Sequence, residues 1–289
     1  MIKIGDRIEG KYRIRSFIGT GGMAHIYEAS DLIRQKECVV KIMLPELIKD
    51  PNSLERFKRE AKIESNFNHP NIVEIWGYGE IENRPYYVME LIKGQTIRQK
   101  LKFGYSFSLK ETLDIGSKVA SALSYVHQRG IVHADIKPDN IYILQRGEIK
   151  IFDFGIAFDE NEKDFKKDVV GSPFYLAPEI TLNKEYSARS DIYALGVTLY
   201  EMITNSVPFK GIDPYSTALA HTKEEFPKIT DIDKTIPHEV EDVILKCCEK
   251  NPDNRFQSAD EIVKAVESID KKKIIKRRSL ISKIFGFKE

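Results

Sequence analysis

The spacing of hydrophobic positions changes once along the chain, near Gly94. Before it, short runs alternate apolar and polar residues as strands do, over 12–18, 25–29 and 37–43. Residues 71–76 and 85–90 read the same way, which predicts an antiparallel sheet of about five strands. One helix is expected over 51–67, with Asp50 as its cap and Pro51 in its first turn. Beyond Gly94 the apolar residues recur every three or four positions. Leu113, Ile115, Val119, Ala122, Leu123 and Val126 mark a helix over 109–128. Further helices are expected over 190–204, 239–249 and 258–270, the last opened by Ser258-Ala-Asp-Glu261, a capping-box pattern. The apolar stretch 192–203 is too short and too broken by polar residues to span a bilayer, and reads as a buried helix. These elements predict an α+β protein, a small strand-rich lobe (1–91) followed by a larger helical lobe (92–270), with a ligand cleft expected at the joint.

Composition changes this picture little until charge is followed by position. The 289 residues, 31% charged and 42% hydrophobic, are ordinary for a folded soluble protein. The formal charge of +1 hides an asymmetry: residues 271–289 hold eight Lys/Arg and one Glu, leaving the rest with 37 basic and 43 acidic residues. Three cysteines, Cys38, Cys247 and Cys248, form no spaced framework, and the N-terminus lacks the apolar core of a signal peptide. A reducing cytoplasmic setting is expected.

The candidate chemistry lies in four places. Gly19-Thr-Gly-Gly-Met-Ala24 sits between two strands, where glycines let backbone N–H groups approach phosphate oxygens. Alone, such a hairpin is ordinarily just a turn. Lys41 interrupts an apolar strand on the face that also carries Val39, so its ammonium needs a partner if buried. Glu60 is the candidate, although Arg59, Lys62 and Glu64 around it also fit a solvated helix face. Asp135, Lys137 and Asn140 come from one tight connection between apolar runs at 130–132 and 141–144, and Asp153-Phe-Gly155 follows a further strand-like run. Together they supply a base, a cation and two oxygen ligands for a metal, the groups that phosphoryl transfer from a metal-bound nucleotide requires.

In this order and spacing the motifs match the protein-kinase signature set. The chain resembles the Ser/Thr protein kinase superfamily over about residues 10–266, its glycine loop being most similar to bacterial (Hanks-type) members. The resemblance continues through Ala177-Pro-Glu179, Asp191-Ile-Tyr-Ala-Leu-Gly196 and Arg255, which in the family pairs with the glutamate at 179. It implies a two-lobed kinase fold, with an antiparallel sheet and one helix in the small lobe and a mainly helical large lobe. It also implies ATP and Mg²⁺ as cofactors, Mn²⁺ as a substitute, and protein Ser/Thr hydroxyls as substrates. By the same resemblance Lys41 holds the α- and β-phosphates and is held by Glu60, and Asp135 is the base. Lys137 neutralises the transferred group, and Asn140 and Asp153 bind the metal. Ile18, Gly19, Gly21, Gly22, Ile26 and Val39 would line the nucleotide, with Met89 at the rear of the pocket and Glu90 and Ile92 on the segment that reads adenine.

Several positions depart from the family pattern. Ala24 stands where the third glycine is usual. Ala134 stands where relatives carry an Arg that pairs with a phosphorylated activation loop, and 156–171 contains no Ser, Thr or Tyr. Activity that does not depend on activation-loop phosphorylation is therefore expected. Glu64, one helical turn after Glu60, replaces a usually apolar residue, which suggests a helix swung out or one seated by a partner or ligand. In 271–289 a basic block precedes Leu280, Ile281, Ile284, Phe285 and Phe287 on one helical arc, a pattern that fits an anionic membrane surface and equally a disordered or docking end. A homodimer is left open, and no specific nucleic acid is expected. A nucleotide-binding scaffold without turnover is the alternative in another class, yet Lys41, Glu60, Asp135, Asn140 and Asp153 are all present.

Overall fold

The computed structural model describes residues 2–154, 158–159, 171–182 and 185–269, so Gly155, the segment 160–170 and the basic tail lie outside the described residues. The described residues form two units: those up to Gly94 together with 152–154, and Gln95–Ile151 together with the later residues. The division falls three residues beyond the expected one at 91. The assignment of 152–154 to the first unit breaks chain order, which local spacing cannot reveal.

In the first unit six strands pair antiparallel: β1 (Arg7–Ile8), β2 (Tyr12–Thr20), β3 (Ala24–Asp31), β4 (Lys36–Met43), β5 (Ile75–Ile81) and β6 (Arg84–Glu90), in the order β1-β2-β3-β4-β6-β5. The two-residue β1 is the strand that alternation does not register. Cys38, Val40 and Ile42 point from β4 into one core with Ile14, Tyr27, Ala29, Tyr86 and Val88. The opposite face is covered by helix α1 (Pro51–Glu64), whose Phe57 and Ala61 pack on Ala24, Met43, Val73, Ile75, Tyr87 and Met89. Asp50 caps α1 as expected, accepting from the Ser53 N–H at 3.1 Å. The helix stops at Glu64 rather than 67, because Ser65 and Asn66 turn their side chains back onto the Lys62 carbonyl at 2.9 and 2.7 Å.

The strand expected over 71–76 forms four residues later. Gly77 and Gly79 read as strand breakers, but each faces a tyrosine hydroxyl: a Cβ would lie 3.0 Å from Tyr12 Oη and 2.9 Å from Tyr86 Oη respectively. Ile72 and Val73 are buried ahead of the strand, with Ile72 in an isolated β-bridge, so the apolar run there marks packing and a single pairing rather than a continuous strand.

In chain order there follow β7 (Gly94–Thr96), α2 (Ile97–Lys102), α3 (Leu109–His127), β8 (Ile131–Val132), β9 (Ile141–Leu144), β10 (Ile149–Ile151) and β11 (Phe158–Asp159). Then come α4 (Pro178–Thr181), α5 (Ala188–Thr204), α6 (Pro214–Lys223), α7 (Ile229–Ile232), α8 (His238–Cys247) and α9 (Ala259–Ser268). Helix α3 packs on α5 and α9, and α8 packs on α5. Gly196 allows the last contact, since a Cβ would stand 2.6 Å from both Cys247 Cβ and Cys248 Sγ. Reciprocal capping boxes open α2 (Thr96 with Gln99) and α3 (Ser108 with Glu111). The box expected at Ser258 does not form: Ser258 makes no side-chain cap bond, and the Glu261 carboxylate accepts from the Gln257 N–H at 3.0 Å instead. Among the described residues no helix is long and apolar enough to cross a membrane.

Candidate active site

In the first unit strand register places the charges. Lys41 and Tyr87 are cross-strand partners on β4 and β6, so the ammonium lies 5.1 Å from the centre of the Tyr87 ring. Both side chains reach Glu60 on α1. Lys41 Nζ stands 3.7 Å from Glu60 Oε1, and the Tyr87 hydroxyl donates to that oxygen at 2.5 Å. One turn further, Glu64 is buried and accepts the Phe154 N–H at 3.0 Å. Of the two expectations for Glu64, the helix swung out does not hold. Its helix is paired through Glu60, and a backbone amide of the chain itself seats its carboxyl.

Burial works against the charge of Lys41, yet Glu60, Asp153 and Glu64 outweigh it and hold the ammonium's pKa above its ordinary value. Burial, assisted by Asp153, raises Glu60 despite Lys41 and the Tyr87 hydroxyl. Burial and the neighbouring Glu60 push Glu64 up to about 8, against Lys41 and the Phe154 N–H. Asp153 itself adopts φ +69°, uncommon for a residue with a side chain.

The expected nucleotide-lining residues lie in the same unit. Gly19 and Ile26 are cross-strand partners, and the turn closes with the Gly21 N–H donating to the Ala24 carbonyl at 2.8 Å. At Gly19 and Gly22 a Cβ would meet nothing within 4 Å and φ is not positive, so no internal contact demands glycine there. Bare backbone at these positions suits approach by a phosphate. Ile18 is exposed at the end of β2. Val39, cross-strand partner of Met89, and Ile92 pack half-buried on the core beneath α1, together with Met23 and Phe152. Glu90 exchanges bonds with Glu74, its N–H donating to the Glu74 carbonyl at 3.0 Å and its carboxylate accepting the Glu74 N–H at 2.9 Å.

In the second unit the loop after β8 is anchored from below. Asp191, buried at the start of α5, accepts the N–H groups of His133 and Ala134 at 2.8 Å each and also bonds His127 Nε2 at 2.8 Å. This holds Ala134 at φ +64°. Above that anchor, Asp135 Oδ2 accepts from Lys137 Nζ at 2.5 Å and from Asn140 Nδ2 at 3.0 Å, and Asn140 also donates to the Asp135 carbonyl at 2.9 Å. Gly171 sits at φ +113°, a conformation that favours glycine, and starts the segment 171–179 beside the loop, where even a Cβ would meet the Ala134 carbonyl at 3.4 Å and Asp135 Oδ1 at 3.8 Å. That segment is pinned by Arg98, which bonds Asp139 at 3.1 Å, Glu201 at 2.6 Å and the Tyr175 hydroxyl. The Tyr175 hydroxyl in turn donates to Glu201 at 2.6 Å. Arg255 and Glu179 form a buried bidentate pair at 2.7 and 2.8 Å, as the resemblance implies.

The structure therefore gathers Lys41, Glu60 and Asp153 in one unit and Asp135, Lys137 and Asn140 in the other. Sequence reading missed Tyr87, Asp191 as the anchor of the loop, and the Arg98 network. Tyr87 was findable, because it alternates onto the face that must serve Lys41. Arg98 was not, because its partners lie 41, 77 and 103 residues away.

A sheet with one covering helix, a loop presenting Asp135 and Asn140, and a bidentate Glu179–Arg255 pair define a protein kinase domain, and the protein kinase domain model matches residues 12–266; the chain belongs to that family. It is 40% identical over 261 residues to the serine/threonine-protein kinase PrkC of Bacillus subtilis, covering 90% of this chain and 40% of that protein. It is 34% identical to a probable serine/threonine-protein kinase PknB of Lactococcus lactis, covering 91% of this chain and 42% of that protein. The chain thus spans about two fifths of the length of these relatives. The crystal structure of the Mycobacterium tuberculosis PknI kinase domain shares the fold, with a TM-score of 0.72 at 24% identity over 92% of this chain and 98% of that one.

Proposed function

We propose that this chain transfers the γ-phosphoryl group of Mg-ATP to Ser/Thr hydroxyls of proteins, with Asp135 as the base. The observation that carries the proposal is the fixing of Asp135 through one oxygen. Lys137 and Asn140 both bond Oδ2, so Oδ1 is left to accept a substrate proton. Lys137 stands where it can offset charge developing on the transferred group.

The donor set fits the cofactors. Asn140 spends its amide N–H groups on Asp135, leaving its carbonyl oxygen for a hard cation, and Asp153 offers a carboxylate. Lys41, oriented by Glu60 and Tyr87, would hold phosphate oxygens. When bound, Mg-ATP supplies the phosphoryl group, with Mn²⁺ as an alternative metal. The buried Arg98–Tyr175–Glu201 network gives the segment 171–179 a fixed form against which a peptide can be placed, which favours protein over small-molecule acceptors.

We further propose that phosphorylation of 156–170 is not required. No guanidinium stands at Ala134 to read a phosphate, and the loop's anchor is Asp191 rather than a phosphoresidue. Tyr175 is buried within the Arg98 network, so its hydroxyl is not offered for modification. Labelled-ATP transfer to a generic basic protein tests both readings, using wild type and Asp135→Asn made in a cell-free system without ATP. Asp135→Asn is expected to lose about 10²–10⁴ in rate, and wild type to start without a lag. Equal signal from the two proteins would sink the kinase reading in favour of a nucleotide-binding scaffold; a lag abolished by pre-phosphorylation would sink the second proposal alone.

A further inference from the structure

The chemistry proposed above gives Lys41, Glu60 and Asp153 each a task and gives Glu64 none, although burying a fourth ionisable group beside them is costly. The partner that offsets this cost is informative. Glu64 accepts the Phe154 N–H at 3.0 Å, and that N–H belongs to the peptide plane joining Phe154 to Asp153. Fixing the plane restricts ψ of Asp153, and with it the direction in which the carboxylate leaves the backbone. Asp153 needs such restraint: at φ +69° it occupies a conformation uncommon for a residue with a side chain, which persists only where the surroundings hold it. The Phe154 ring, itself buried, packs tilted against Phe67 at 5.0 Å between ring centres, just beyond the end of α1. An apolar side chain at 64 could extend that ring contact, but it could not accept the amide.

We propose that Glu64 is a positioning residue that locks the Asp153–Phe154 peptide to helix α1 and so aims the Asp153 carboxylate at the metal. The second half of this statement rests on the kinase reading; the first half does not. Glu60 and Glu64 lie one turn apart on α1, so a single helix face orients both the phosphate-binding lysine and the metal-binding aspartate. A displacement of α1 would release both together.

Two measurements on the full chain separate the halves. In the nucleotide-free protein, hydrogen exchange of the Phe154 amide is followed by NMR, with the amide of the buried Val88, on β6 between β4 and β5, as the reference for global opening. Glu64→Ala is expected to speed exchange at Phe154 about tenfold with Val88 unchanged, while Glu64→Gln, which keeps an acceptor oxygen, stays within about twofold of wild type. Wild-type exchange in Glu64→Ala, parallel acceleration at Val88, or a Glu64→Gln as fast as Glu64→Ala would each overturn the lock. In the second measurement, the Mg²⁺ concentration that half-saturates binding of a fluorescent ATP analogue is expected to rise about tenfold in Glu64→Ala and little in Glu64→Gln. An unchanged Mg²⁺ requirement would overturn the aiming role. Wild type that binds no Mg-nucleotide would overturn the function proposed above and leave the exchange result standing.

Discussion

Arg255 and Lys41 are both buried cations facing carboxylates, and their surroundings differ in how completely charge and hydrogen bonds are satisfied. Arg255 sends all of its N–H groups to partners: two to Glu179 at 2.7 and 2.8 Å, and the others to the carbonyls of Glu249 at 2.7 Å, Arg189 at 2.8 Å and Lys250 at 3.3 Å. One guanidinium meets one carboxylate, and nothing is left to bind. Lys41 meets Glu60 at 3.7 Å, with the charges of Asp153 and Glu64 also acting on it. Three carboxyl groups face one ammonium, and burial shifts Glu60 and Glu64 toward their neutral forms. The first arrangement is closed and serves to hold α4 against the chain near 255. The second is open and acidic, the condition in which an added cation is favoured.

Arg255→Ala leaves Glu179 buried without its counter-charge and is expected to cost about 3–5 kcal/mol of stability, read as a fall in the urea midpoint. A loss below about 1 kcal/mol would show that the pair is not the staple its geometry indicates.

The open cluster should show itself as a pH dependence. Glu64, raised to about 8 by burial and Glu60, keeps a proton in the folded state that the unfolded chain releases at ordinary carboxylate pH. Folding stability is therefore expected to fall as pH rises from the ordinary carboxylate range to about 8 and to level off above it, by an amount on the order of a few kcal/mol. Glu64→Gln should flatten most of that slope in urea unfolding of the nucleotide-free protein between pH 5 and 9, leaving the part that Glu60, also raised, contributes. The same slope in both proteins would assign the dependence to other groups.

The smallest expected effect sharpens the account of Glu60. Tyr87→Phe keeps the ring beneath Lys41 and deletes the hydroxyl that donates to Glu60 at 2.5 Å. A loss of about 1–2 kcal/mol is expected, with metal-free nucleotide affinity lowered in parallel as Lys41 is held less firmly. Unchanged stability and affinity would remove Tyr87 from the set of groups that orient the lysine.

Much of this was legible before any coordinates. Period-two alternation located four of the strands to within two residues, and the shift to helical spacing located α3, α5 and α8. It failed where local reading meets tertiary compensation. Gly77 and Gly79 look like breakers until the hydroxyls of Tyr12 and Tyr86 fill the space beside them. Ser258 and Glu261 carry a capping pattern that Gln257 intercepts. Helix α6, with no strong apolar period to advertise it, was missed, although Asp213 and Pro214 at its start fit a cap and a first turn.

What the sequence determined by itself was the set of candidate reacting groups, because Asp135, Lys137, Asn140 and Asp153 are defined by type and spacing within short connections. It also determined what is absent near them, the guanidinium at 134 and any hydroxyl from 156 to 171. Only the tertiary structure decided the meaning of Glu64. Along the chain it is one charge among several on a helix that looks solvated. In the folded unit it is buried, one turn past Glu60, with the amide of a residue ninety positions away as its partner. A carboxyl group's role depends on what surrounds it, and only folding brings those surroundings together.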